Sequence, residues 1–290
     1  MRTAKYAGKF YEKAISLLDR QITECFTGPK GPGALPSSIT NKEVSAVICP
    51  HASYNYSGQA AAWSYKAIAE LGMSDLYIII GPSHLSAETA FTNETFETPY
   101  GLVRVDQHFA RELMLKGHIK ENNSIHENEH SIEVQLPFLQ FVFKKNMEKI
   151  KILPILIGHD TTREQLKQIA LDIKEVAMDM NKKATIIISG DFTHYGRNYN
   201  YIPFGDHVKE NIYKLDEAAI NFIKEFRADE FLDFIDEEIS TICAALPIYL
   251  LLNYIKTGTV NLEQYYTSAD LDPESNYKNS VSYASIVFNK

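Results

Sequence analysis

Very little in this 290-residue chain could build a disulfide framework. It has three cysteines, Cys25, Cys49 and Cys243. An odd number with no CxxC pair points to free thiols in a reducing compartment. Long apolar runs are missing too: none reaches the ~18–20 residues that a membrane helix needs. The stretch MRTAKYAGKFYE lacks the apolar core of a signal peptide. A cytoplasmic protein that uses no membrane is therefore expected. There is no dense Lys/Arg block, and the formal net charge is −8. That balance serves solubility and speaks against a nucleic-acid partner. Internal repeats and low-complexity tracts are also absent.

What remains is ordinary globular material, 45% hydrophobic and 23% charged. Residues 11–26 place Ile15, Leu18, Ile22 and Phe26 at helical spacing. The Gly/Pro-rich TGPKGPGALPSS, Thr27 to Ser38, reads as a loop. Too little chain precedes it for a separate core, so one domain over 1–290 is expected. Beyond it, strands alternate with helices. VSAVIC, DLYIIIG, KIKILPILIG and KKATIIISG are nearly continuous apolar runs, the pattern of strands buried on both faces. SGQAAAWSYKAIAELG, DQHFARELMLKG, SIEVQLPFLQFVFKK and TTREQLKQIALDIKEVAMDM read as helices, the last with a Thr cap. So do VKENIYKLDEAAINFIKEF, DEFLDFIDE and AALPIYLLLNYIK. Residues 88–105 suggest short strands around the turn ETPYG, and SYASIVF closes the chain as a strand. The fold class is α/β: three layers, a mostly parallel or mixed central sheet, and helices on both faces.

Three of the buried strands end on polar residues. VSAVIC runs into Pro50-His51, DLYIIIG into Pro82-Ser83-His84, and KKATIIISG into Gly190-Asp191 with His194 just beyond. One histidine after a strand is usually an ordinary loop residue. Three such strand ends are harder to set aside, because parallel strands share one carboxyl edge, where sites form in open sheets. In HENEHSIEVQLPF, Glu127 and Glu129 read as a solvated helix start favoured by the helix dipole. His130, Glu133 and Gln135 are left open between a site and plain helix polarity. In STICAALPIYLLL, Pro247 must lie near a helix start, so Cys243 sits at or before the first turn. That location is expected to lower its pKa. Cys25 and Cys49 read as small buried hydrophobes.

Taken in order, PHASYNYSG, GPSH with TPYG, EHSIEVQLPFL, GDFTHYG and TICAALPI resemble the Memo family, also called AmmeMemoRadiSam system protein B. That family is similar in fold to the class III extradiol ring-cleaving dioxygenases. The resemblance implies a metal site on His51, His84 and Cys243. It implies an acid–base role for His194, with Asp191 and His130 beside it as candidate catalytic residues. The cysteine stands where the dioxygenase relatives carry a carboxylate. A functional link to radical-SAM and AMMECR-type proteins is implied as well. Two positions depart from the pattern: Ser53 and Ala244 stand where the family commonly has Gly, which would narrow the pocket or change its backbone.

Two imidazoles and a thiolate suit iron, copper or zinc and leave a coordination position open. A metal-binding redox protein with a non-haem dioxygenase-like pocket is the first expectation. A scaffold that binds a peptide or small molecule is the second. A metal-free hydrolase is the third, with Cys243 as nucleophile, a His as base and Asp191 orienting it. Tyr199 and Tyr201 are candidates for the pocket mouth, weighed against simple packing.

Overall fold

The computed structural model describes residues 1–37, 44–275 and 277–290. Ser38, the end of the expected loop, lies outside them. The strands are β1 (Val44–Cys49), β2 (Leu76–Pro82), β3 (Ala90–Phe91), β4 (Phe96–Thr98), β5 (Gly101–Val105), β6 (Lys120–Glu121), β7 (Lys151–Ile157), β8 (Ala184–Ser189), β9 (His194–Gly196), β10 (Thr259–Thr267) and β11 (Asn279–Asn289). The helices are α1 (Ile15–Thr27), α2 (Tyr54–Leu71), α3 (Gln107–Leu115), α4 (Asn123–His126), α5 (Leu136–Val142), α6 (Arg163–Asp179), α7 (Val208–Lys224), α8 (Ala228–Glu237) and α9 (Ala245–Tyr254).

All the strands among the described residues join one mixed sheet, ordered β10-β11-β1-β8-β2-β7-β3-β6 along its main path. Its centre is parallel: β1 pairs β8, β8 pairs β2, and β2 pairs β7. These are the four continuous apolar runs. Ile48, Ile78, Ile79, Ile80, Ile186, Ile187 and Ile188 are fully buried, each worth about 1.5–3 kcal/mol of transfer free energy. One helix group, α1, α2 and α5, packs together, and a second runs from α3 through α6 and α9 to α8 and α7. The sheet separates them, so the three-layer α/β architecture is as expected.

Pro154 lies inside β7, where a missing N–H would normally break a ladder. On its outer edge β7 pairs with β5 at Lys151 and Ile152, and with β3 at Ile155 and Leu156. Pro154 falls in the gap between those pairings.

The helix expected from residue 11 starts at Ile15, and SIEVQLPFLQFVFKK is split into a 3₁₀ turn (Glu133–Gln135), the short α5 and the start of a second 3₁₀ stretch (Lys144–Lys149). Three strands were not expected: the short β6 and β9, and β10, which pairs antiparallel with β11 at the sheet edge.

The topology places the site. Cys49 is in register with Ser189, and Ile80 with Ile188. The residues that follow β1, β2 and β8 therefore emerge side by side from one edge.

Candidate metal centre

His51 leaves β1 behind Pro50, which ends the strand. Its backbone N–H donates to Asp191 Oδ1 at 2.9 Å. Its ring Nδ1 lies 3.2 Å from Ser189 Oγ. The Ser189 hydroxyl donates its only proton to the carbonyl of Ser131 and accepts from Gln135 Nε2 at 2.8 Å. Its remaining role is acceptor, so His51 carries its proton on Nδ1 and leaves Nε2 as a free lone pair. Burial, reinforced by His130 and His84 nearby, holds the His51 pKa well below its usual value. A neutral imidazole with a free Nε2 is the ligand form.

His84 follows β2. Its Nδ1 lies 3.0 Å from Glu129 Oε1, and its backbone N–H donates to Glu129 Oε2 at 2.7 Å. The same carboxylate accepts from the backbone N–H groups of His130 and Ser131. Against the penalty of burial, the imidazoles of His130 and His84 keep Glu129 ionised far below the ordinary carboxylate range. The His84 Nδ1 proton is thus fixed, and its Nε2 is free. Gly81 makes the arrangement possible: a Cβ there would meet Ser131 Oγ at 2.6 Å.

Cys243 closes the group. Its Sγ is 3.4 Å from His51 Nε2 and accepts from the Asp191 N–H at 3.2 Å. One ligand atom each from His51, His84 and Cys243 lies within 4.8 Å of the others. The donors come from three distant segments, and both histidines are held by their far nitrogens, so the residues fit a transition metal. A second grouping, His84, Glu129 and His130, shares His84 and is already hydrogen-bonded within itself.

His194 sits at the start of β9. Its Nδ1 lies 3.0 Å from the Thr241 carbonyl, so Nδ1 holds the proton and Nε2 is the free atom. Burial lowers its pKa. Burial raises the Asp191 carboxyl to about 7, against the backbone donors of His51 and Ala52. His130 stacks on His84, with ring centroids 4.6 Å apart. His51, His84, Asp191, His194 and His130 all line one open cleft of about 720 Å³.

A family model described as Memo-like protein matches residues 2–287. The chain belongs to the Memo-like family. A MEMO1 family protein of Methanopyrus kandleri is 32% identical over 100% of this chain and 99% of its own. One of Pyrococcus furiosus is 30% identical with the same coverage. Among solved structures, an uncharacterized protein from Escherichia coli K12 matches with a TM-score of 0.55 and 12% identity. It covers 84% of this chain and 99% of its own, and the likeness is one of fold.

Several expectations change in this Memo-like chain. The Cys243 thiol is raised well above its usual value, not lowered: burial and the Asp191 carboxylate outweigh the donated Asp191 N–H. A bound cation is what would favour the thiolate here. Asp191 does not stand behind the His51 ring. Ser189 holds Nδ1, while Asp191 Oδ2 lies 4.0 Å from Nε2, so the cysteine–histidine–aspartate order of a hydrolase is not formed. Glu133 is structural: fully buried, it pairs with Arg2 and accepts from the Tyr11 hydroxyl and the Tyr6 N–H. Gln135 braces Ser189 and the end of β1. Glu129, expected to be solvated, orients His84 instead. Its spacing of one residue before His130 was the only signal available.

Of the two departures from the family pattern, Ser53 lines the cleft. Ala244 is fully buried against Gly190, where a second Cβ would sit 2.0 Å from its own. Neither adopts a positive φ. Tyr199 lines the cleft, whereas Tyr201 is buried and donates to the Glu238 carbonyl. Cys25 and Cys49 are buried, and burial raises Cys25 to about 12. No helix among the described residues is long and apolar enough to cross a membrane.

Proposed function

We propose that this Memo-like chain is a redox metalloprotein that holds one transition-metal ion on His51, His84 and Cys243. The observation carrying the reading is the approach of those three donors to within 4.8 Å, with Ser189 and Glu129 fixing both imidazoles. Iron or copper would supply one-electron chemistry at the floor of an oxygenase-like cleft, and zinc would supply Lewis acidity.

The chain's own residues provide the rest. The Thr241 carbonyl orients His194, whose free Nε2 can take a proton from a group in the cleft and return it. Asp191 ties the β1 and β8 ends together by accepting from the His51 N–H. Its own N–H steadies the Cys243 sulfur. Ser53 and Tyr199 border the space left for a substrate. Unpaired thiols suit a cytoplasmic location.

Metal content and affinity of anaerobically purified protein test the reading, with wild type beside Cys243→Ser. One equivalent in wild type, with affinity at least about tenfold weaker in the variant, is expected. Absence of metal from both after reconstitution with iron, copper and zinc would overturn it in favour of a binding scaffold.

A further inference from the structure

We propose that the cleft takes a small molecule bearing a positively charged amine, selected against anionic ligands by Asp272 and an aromatic rim. The proposal rests on the metal reading only in taking the His51–His84–Cys243 end as the inner end.

Among the described residues, no lysine or arginine lines this cleft. Its exposed side carries Asp272 and the rings of Tyr56 and Tyr199, while Phe10 packs on His130 with ring centroids 4.8 Å apart and Tyr283 is buried. Asp272 is exposed, and its carboxylate accepts from the backbone N–H of Glu274 at 3.1 Å. No lysine, arginine or histidine forms an ion pair with it among the described residues. Its neighbour Asp270, by contrast, is held by Lys209 at 2.8 Å. The chain does gather cations elsewhere. Lys174, Lys182, Lys183 and Lys256 line a separate cleft of about 570 Å³ beside Ser45 and Ala184, at the starts of β1 and β8. That is the opposite end of the strands from His51 and Asp191.

An anionic tail on that exposed side would meet a carboxylate and no guanidinium or ammonium group to pair with. An ammonium would meet that carboxylate and aromatic faces, both favourable partners. A metal at the inner end attracts electron-pair donors of either kind, so the discrimination belongs to the rim.

Three probes share a phenol ring and differ only in tail charge: tyramine, 4-ethylphenol and 4-hydroxyphenylacetate. Their affinities would be measured by calorimetry and ligand-observed NMR at neutral pH, for metal-loaded wild type, Cys243→Ser and Asp272→Asn. Tyramine is expected to bind at least about fivefold more tightly than 4-hydroxyphenylacetate. The two should fall within about twofold of each other in Asp272→Asn. Equal or tighter binding of the acid, an unchanged ratio in Asp272→Asn, or no detectable tyramine binding would each overturn the proposal. Elemental analysis of the same samples reports failure of the metal reading separately. The charge preference is expected in Cys243→Ser as well, because Asp272 is not a ligand.

Discussion

Each histidine of the proposed ligand set is held by one residue behind it. Ser189 Oγ can only accept from His51, because its proton is used by Ser131. Glu129 is acceptor-only and faces four N–H groups of His84, His130 and Ser131. Losing such an orienting partner commonly weakens metal binding by about 10–100-fold. Ser189→Ala should fall at the low end. Glu129→Gln should fall at the high end, because its amide would present N–H against N–H. Competition titrations with a chromophoric chelator check both, and equal affinity in all three proteins would show that these partners do not matter. His126 gives a separate prediction. It is buried, donates from Nε2 to the Ala90 carbonyl, and is lowered by burial to about 4. Between that value and the ordinary one the unfolded chain binds the extra proton, so stability falls as pH falls. The loss reaches about 3 kcal/mol at the lower end of the window. Urea titrations should show a shallower acid loss in His126→Gln, and parallel curves would refute the assignment. The strand-end histidines and Cys243 were legible because each closes a recognisable motif. Glu129 was not, since an acidic residue before a helix usually means solvent. The Cys243 pKa was misjudged because a helix end is a local effect, while burial beside Asp191 belongs to the assembled fold.

At the scale of elements, α8 ends in a way that its sequence does not favour. The Ser240 N–H donates to the Ile235 carbonyl and the Ile239 N–H to that of Asp236, a closing pattern that puts Ile239 in the left-handed region. Its φ is 48°, a conformation that β-branched residues rarely adopt. Ile239 is 78% exposed, so burial does not offset the strain. Ile239→Gly should therefore raise stability, by up to about 1 kcal/mol after the added flexibility of the unfolded chain is subtracted. An unchanged or lower thermal midpoint would mean that Ile239 is not strained. The element matters to the site because Thr241 and Cys243 follow directly. The central strands and α6, with its Thr162 cap, were readable from composition and period. β10 was not: TVNLEQYYT is largely exposed over its first half and lacks a continuous apolar run. The stretch expected as one helix from Ser131 is broken because Glu133, Gln135 and Gln140 are buried and spend their side chains on other segments.

At the scale of the whole molecule, the N-terminal segment clasps the stretch from His126 to Glu133 beside the candidate site. Arg2 donates to the carbonyls of His126 and Glu129 and to the Glu133 carboxylate. Glu133 also receives the N–H groups of Lys5 and Tyr6 and the Tyr11 hydroxyl. Both charged side chains are almost wholly buried. Removing one partner of such a pair leaves a buried charge and typically costs about 3–5 kcal/mol. The stretch that Arg2 holds includes Glu129, the residue that orients His84, so the clasp couples global stability to the site. Arg2→Met and Glu133→Gln should each destabilise strongly. The double variant should lose clearly less than the sum, with a coupling of about 1–3 kcal/mol in a double-mutant cycle. Arg2→Met should also weaken metal binding in protein kept well below its unfolding midpoint. Glu129→Gln should do so with a smaller loss of stability, because the Arg2–Glu133 pair stays intact. Additive stabilities in the cycle, or undiminished metal affinity in folded Arg2→Met, would separate the clasp from the site and leave the N-terminal segment a purely structural cover.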